Sequence, residues 1–358
     1  MKTFTFAAVI ALWLAGPAKA GHYQLPRDIH STFTVGTATA QRGQRAYGVL
    51  VVPAGSDAGY DIPVAILHGA KPGPVLAIVS GAHGTEYASI VAVQQLIDAV
   101  KPADLSGTLI LVPLVNVPSF EKLTPHVNPT DNKSMNSRYP GDPNGTQTDR
   151  ASAVITKEVV EQCDHLIDLH GGDLDENLRP YSYWTVTGNQ KQDQESRGMV
   201  LAFGLDHIII SDRPKDPKAS RFLENTATTR GKASFTAEAG RSGPVVAADV
   251  AALVNGSLGT MKHLKMLAGM AKPVAAPIWV EKIVSVPADR EGVFHASVDR
   301  NAHVAKGAKI GFVTDYVNRP IQDVTAPEAG IVMFIRALPS LKKGDTIVNI
   351  GVVSTHAR

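Results

Sequence analysis

The chain has 358 residues, 44% of them hydrophobic and 19% charged, a composition that supports a packed core of one or two domains and excludes disordered and collagen-like classes. A formal net charge of +2, with no basic run and no interleaved aromatics, argues against nucleic acid or an anionic membrane surface as partner. The single cysteine, Cys163, excludes an intramolecular disulfide and reads as a small buried hydrophobe.

The first segment in chain order has the form of a secretory leader. Lys2 supplies a positive start, Phe4 to Ala15 are mostly apolar, and Ala18-Lys19-Ala20 is a small-x-small cleavage site that would leave Gly21 first. A spanning helix wants ~20 apolar residues, and Gly16-Pro17 interrupts this run. The expectation is an exported protein, periplasmic or secreted, that loses residues 1–20 and is not held in a membrane afterwards.

Strand-like and helix-like stretches then alternate. Val75–Ser80 is an apolar run of buried-strand length, and Ile90, Val93, Ile97 and Val100 follow at helical spacing. Thr108–Val115 is predicted as a strand, and Thr148–Gln162 as a helix with Thr148 as its N-cap. Further strands are predicted at His165–Leu169, Tyr181–Val186, Ile208–Ser211 and Ala233–Ala237, before a long helix over Ala247–Leu267. The fold class is therefore α/β, with a largely parallel or mixed central sheet carrying helices on both faces. After Lys272-Pro273 only alternating runs between turns remain, including Ile283–Val286, Ile331–Ile335 and Thr346–Ile350. They predict a catalytic domain over residues 21–272 and a small all-β domain over 273–358.

The chemistry-bearing residues cluster at strand ends. Gly81-Ala-His83-Gly-Thr-Glu86 joins the first strand to its helix and brings an imidazole and a carboxylate to one point; the plainer alternative is a loop histidine with Glu86 favouring the helix dipole. Asp168-Leu-His170-Gly-Gly lies at the carboxyl end of another strand, the edge where open α/β sheets bind ligands. Two His and one Glu suit a catalytic zinc that keeps a fourth position open. Asp168 shares a strand face with His170 and is a candidate second support for it, or a buried hydrogen-bonded strand acid. Glu238 ends a later apolar strand, as a general base or a rim carboxylate. Asp173-Leu-Asp175-Glu-Asn177 begins like a calcium loop, but Leu178 stands where that loop needs glycine. There is no Gly-x-Ser-x-Gly elbow, phosphate-binding loop or dinucleotide fingerprint.

In order and type, His83-Gly-Thr-Glu86, the Asn136–Gly141 segment with its Tyr-Pro-Gly, Asp168-Leu-His170 and Glu238 resemble the succinylglutamate desuccinylase/aspartoacylase family, relatives of the zinc carboxypeptidases. The resemblance spans roughly residues 32 to 350. It implies one zinc ion per chain on His83, Glu86 and His170, with Glu238 as the catalytic base. It also implies a C-terminal β domain resembling a lipoyl carrier. Lys306 there is followed by Gly-Ala-Lys and lacks an acidic neighbour, so the domain reads as structural, roofing the site or setting contacts in a homo-oligomer.

Similar proteins pair Asn with Arg before Pro-Gly, where the Arg grips a substrate carboxylate. Here Asn136-Ser137-Arg138 displaces the Arg by one place, and no Arg lies between Lys101 and Ser137 where the family tends to place a second one. Asn136 and Arg138 are the candidate substrate-binding residues, with Lys133, Arg179 and Arg241 as substitute cations. The expected activity is zinc-dependent hydrolysis of an amide in a small N-acyl amino acid or short peptide. Alternatives are a metallocarboxypeptidase acting on peptides or peptidoglycan fragments, and a non-catalytic binding protein on the same fold.

Overall fold

The structure, a computed structural model, describes residues 30–354 apart from 215 and 217–219; the expected leader lies outside the described residues. A hairpin of β1 (Thr32–Val35) and β2 (Ala38–Gln41) precedes β3 (Gln44–Val52), β4 (Tyr60–His68) and β5 (Lys71–Ser80). Then come α1 (Tyr87–Ala99), β6 (Ser106–Val112), α2 (Val117–Glu121), α3 (Gln147–Ile155) and β7 (His165–His170). They are followed by β8 (Glu176–Val186), α4 (Gln190–Phe203), β9 (His207–Asp212), α5 (Leu223–Thr228), β10 (Ala233–Arg241) and α6 (Ala247–His263). Beyond residue 273 the regular elements among the described residues are strands. These are β11 (Ile278–Pro287), β12 (Gly292–Ala296), β13 (His303–Val304), β14 (Lys309–Thr314), β15 (Pro320–Thr325), β16 (Gly330–Arg336), β17 (Ser340–Leu341) and β18 (Thr346–Val353).

One mixed sheet of twelve strands runs in the order β3-β4-β6-β5-β7-β10-β8-β9-β11-β18-β16-β13. Its centre, β6, β5, β7 and β10, is parallel. The chain leaves β5 through α1 to β6 on one side, while β7 lies on the other, so the strand order reverses at β5 and opens a crevice at the carboxyl ends.

Alternation along the strands builds two layers. Leu76, Ile78, Ile167, Leu169, Phe235 and Ala237 face α1, α4 and α6, whereas Ala77, Val79 and Leu166 face α3 and α5. Strands buried on both faces explain the continuous apolar runs in the sequence, and the expectation of helices on both faces holds.

The C-terminal strands are less separate than the sequence implies. Phe294, Ile310, Val313, Val324 and Val348 share a core of their own, and β15-β14-β12-β17 form a second sheet. Yet β11 pairs in parallel with β9, and β16 pairs with both β18 and β8, so the central sheet continues into this region through backbone hydrogen bonds.

Local differences have physical causes. The predicted cap of α3 lies two residues too late: Thr146 N–H donates to Asp149 Oδ2 at 3.1 Å, while Thr148 gives its hydroxyl to Asp131 at 2.7 Å. Helix α4 escapes a hydrophobicity pattern because Gln192 and Ser196 occupy the stripe that Met199, Val200 and Phe203 continue. Cys163 is buried as expected, and burial pushes its thiol up to about 12.

Candidate active site

The loop from β5 to α1 is shaped by two glycines. Gly81 has φ +69, and a Cβ on Gly84 would meet the backbone nitrogen of Phe120 at 2.3 Å, so neither position accepts a side chain without strain. The turn sets Glu86 at the N-cap of α1, where it makes no side-chain capping bond. Its carboxylate is turned inward instead. Oε1 lies 2.7 Å from His83 Nδ1, and Oε2 lies 2.9 Å from His170 Nδ1 while accepting from Gly171 N–H at 3.0 Å.

His83, Glu86 and His170 thus come from both sides of the crevice, with one ligand atom from each lying within 4.8 Å of the others. A two-imidazole, one-carboxylate set of this kind fits zinc, and Asp168 Oδ1 lies 3.4 Å from His170 Nε2. Burial would raise the Glu86 carboxyl, but the facing charges of His170 and His83 outweigh it and hold the group well below its ordinary value. His170 shows the complementary effect. Burial would lower it, and Glu86 and Asp168 raise it well above the usual imidazole range.

Glu238 lies directly opposite His170 in the β10–β7 register, and Thr236 opposite Asp168. Neighbouring strands are about 4.8 Å apart, so the four side chains form one polar floor on the sheet face away from α1, α4 and α6. Burial pushes the Glu238 carboxyl well above its ordinary value; His170 opposes the shift, and Glu86, Glu176 and Asp168 reinforce it. This floor bounds a cavity of ≈ 340 Å³, of small-molecule size. Tyr183 from β8, Asp212 from β9 and Glu224 from α5 complete its wall.

Asn136 lines the cavity with an Oδ1 that accepts no hydrogen bond. Arg138, two residues on, is not among the residues lining it. The short helical turn at Met135–Ser137 rotates Arg138 away, and its Nε lies 3.8 Å from Asp149 Oδ1. The structure thus sets Asn136 on the cavity and Arg138 beside Asp149. The substitute cations lie elsewhere too: Lys133 pairs with Asp149 at 2.5 Å, Arg179 with Asp206 at 2.9 Å, and Arg241 is exposed.

Sequence reasoning missed Tyr183, Asp212 and Glu224, which no motif marks, because only sheet order and the packing of α5 bring them to the cavity. It also missed His126, whose ring meets that of His83 edge-on at 5.8 Å and bonds Asp175 Oδ1 at 2.7 Å. Burial lowers this imidazole, but Asp175 and Asp173 raise it to about 9. Of the stretch expected as a polar loop, Asp173–Asp175 is loop beside His170, whereas Glu176 and Asn177 open β8 because Asn177 pairs with Arg241 of β10 and Ile335 of β16. Asp173 accepts from Thr85 and from His126 N–H, and Asp175 pairs with Arg336 of β16 at 3.2 Å.

Residues 72–264 match the profile of the succinylglutamate desuccinylase/aspartoacylase catalytic domain. The chain is 25% identical over 317 residues to the N-alpha-acetyl-L-2,4-diaminobutyric acid deacetylase of Halomonas elongata, an alignment covering 86% of this chain and 91% of that protein. The product-bound ectoine utilization protein EutE (DoeB) from Ruegeria pomeroyi has a similar structure, with a TM-score of 0.79 and 23% identity over 88% of this chain and 98% of that one. A succinylglutamate desuccinylase/aspartoacylase from Rhodobacter sphaeroides aligns with a TM-score of 0.77 and 21% identity, over 87% and 96% of the two chains. The catalytic-domain match extends over more than half of the sequence and takes in His83, Glu86, Asn136, His170 and Glu238, so the chain belongs to the succinylglutamate desuccinylase/aspartoacylase family.

Proposed function

We propose that the protein is an exported, zinc-dependent amidohydrolase that removes the acyl group from a small N-acyl amino acid, releasing a carboxylic acid and a free amine. The observation that carries this reading is the convergence of His83, Glu86 and His170 with Glu238 directly opposite His170 on the floor of one cavity. His83, Glu86 and His170 would hold the zinc, which when bound supplies an electrophile that polarises the acyl carbonyl and activates water, and a positive charge that favours the Glu238 carboxylate. Glu238 then accepts a proton from the attacking water and returns it to the departing nitrogen, so no proton is gained or lost in the cycle. Asp168 Oδ1 places a facing charge 3.4 Å from His170 Nε2 while Nδ1 faces Glu86. The family and the likeness to the Halomonas deacetylase support amide hydrolysis of a small acylated amino acid.

Export rests on residues 1–20, and N-terminal sequencing of the protein recovered from its producing cells should find Gly21 first. Elemental analysis of gently purified protein should find one zinc per chain, and the same preparation should release acid from N-acyl amino acids. A folded protein that neither holds zinc nor is activated by it would overturn the reading.

A further inference from the structure

The two ligand imidazoles, 5.4 Å apart between ring centroids, have different neighbours. Glu238 stands across the strand pair from His170, whereas His126 meets His83 edge-on at 5.8 Å. One nitrogen each of His126 and His83 and an oxygen of Asp173 lie within 4.8 Å of one another. Several contacts fix the His126 ring in this position. Its backbone is left-handed, at φ +63, a conformation that a β-carbon disfavours, and its N–H donates to the buried Asp173 Oδ2 at 2.8 Å. Ring Nε2 bonds Asp175 Oδ1 at 2.7 Å. Asp175 is in turn held from the C-terminal region: Arg336 Nη1 reaches its Oδ2 at 3.2 Å, and Ala337 N–H donates to its backbone carbonyl at 2.8 Å. Nδ1 is left over. It lies 3.3 Å from Asp173 Oδ2 outside hydrogen-bonding geometry, and that oxygen already accepts the backbone N–H of His126. With a carboxylate facing each nitrogen the ring keeps both protons, so Nδ1–H is an uncommitted donor on a side chain 39% exposed beside the ligand cluster.

We propose that His126 is a catalytic residue of this site: its Nδ1–H donates a hydrogen bond to the carbonyl oxygen of the scissile amide as that oxygen gathers negative charge, and Asp175 and Arg336 are positioning residues that aim it. The proposal rests on the deacylase reading and adds to it the group that stabilises the oxygen. No proton is transferred in this contact, so the proton still travels from water through Glu238 to the departing nitrogen. A donor fixed in advance favours the transition state because it need not reorganise as the charge develops. No Arg stands between Lys101 and Ser137, and Lys133 and Arg138 face Asp149, so this segment brings its cation to the cluster through His126. Strand β16, which carries Arg336, thereby becomes part of the catalytic arrangement.

The test uses the full mature chain loaded with zinc, and whichever N-acetyl amino acid of a panel it hydrolyses fastest. His126→Gln should lower kcat by about a hundredfold, the cost of removing one such donor, with KM changed by less than about threefold and zinc content unchanged. His126→Arg, which restores a cationic donor, should recover about tenfold of that loss. Arg336→Gln should lower kcat by about tenfold without raising KM. Methylphosphonate, a tetrahedral anion shaped like a hydrated acetyl group, gives a reading independent of turnover. Calorimetry should find its affinity about tenfold weaker in His126→Gln, with planar acetate changed less. An unchanged kcat, or a loss confined to KM, would overturn the proposal while leaving the deacylase reading intact. A second metal ion per chain that His126→Gln abolishes would overturn it too, by making His83, His126 and Asp173 a ligand set. Should His126→Gln fail to fold, His126→Arg and Arg336→Gln decide by the same split between kcat and KM. If no member of the panel is hydrolysed, the deacylase reading fails and the phosphonate measurement decides alone. Weaker binding by the His126 variant supports the donor, and equal binding overturns it.

Discussion

Glu238 and His170 face one another across adjacent strands, and the surroundings act oppositely on them. Burial drives the carboxyl of Glu238 towards its neutral form, while Glu86 and Asp168 outweigh burial and favour the charged form of His170. The proposed base, Glu238, thus depends on local positive charge to ionise, which makes its chemistry separable from metal binding. Glu238→Gln keeps the shape and the ligand set; it should retain zinc and lower kcat by about a hundredfold or more. Zinc analysis and steady-state kinetics on one preparation check both halves, and an unchanged kcat would mean that Glu238 is a rim carboxylate. His83, Glu86, His170 and Glu238 were legible in the sequence because each closes or follows an apolar strand run. Arg138 was legible as a cation but its neighbour was not: it follows a single helical turn, and Asp149, eleven positions on, lies 3.8 Å from its Nε.

Strand β10 shows how one element serves the core and the site at once. Phe235 and Ala237 face the helices, Thr236 and Glu238 face the cavity, and the alternation puts a fully buried ring one residue from a polar floor. Phe235 packs edge-on against Phe203 of α4 at a centroid distance of 5.3 Å. Truncation there leaves a void between sheet and helix, so Phe235→Ala should cost about 3–5 kcal/mol. Urea unfolding followed by circular dichroism measures it, and a loss below about 1 kcal/mol would show that α4 collapses onto the gap. Val75–Ser80, His165–Leu169 and Ala233–Ala237 were recognisable as strands because burial on both faces demands unbroken apolar runs. Helices α4 and α5 were not, since Gln192, Ser196 and Glu224 satisfy their polar atoms inside the fold through hydrogen bonds that no local pattern announces.

At the scale of the whole molecule, buried acids link stability to pH. Burial pushes Glu224 from an ordinary 4.5 to about 7 in the folded chain. The folded state therefore holds a proton that the unfolded state releases earlier, and the resulting stabilisation is full below about pH 4.5 and lost as pH rises through about 7. In the absence of substrate, wild type should lose roughly 3 kcal/mol from this group between those limits, and Glu224→Gln should flatten the decline. Denaturation midpoints at pH 5 and pH 8 compare the two, and parallel profiles would contradict the shift. The sequence by itself determined the α/β class, the strand content of the C-terminal region and which residues, His83, Glu86, His170 and Glu238, form the candidate site, because period, run length and residue type are local properties. Only the tertiary structure decided that β11, β16 and β18 continue the central sheet, that Arg138 turns to Asp149, and that Asp168, Asp212 and Glu224 meet in one cavity. Those three outcomes depend on strand order and on contacts between residues far apart in the chain, where the gain from pairing a backbone edge or neutralising a charge is set by what the fold brings alongside.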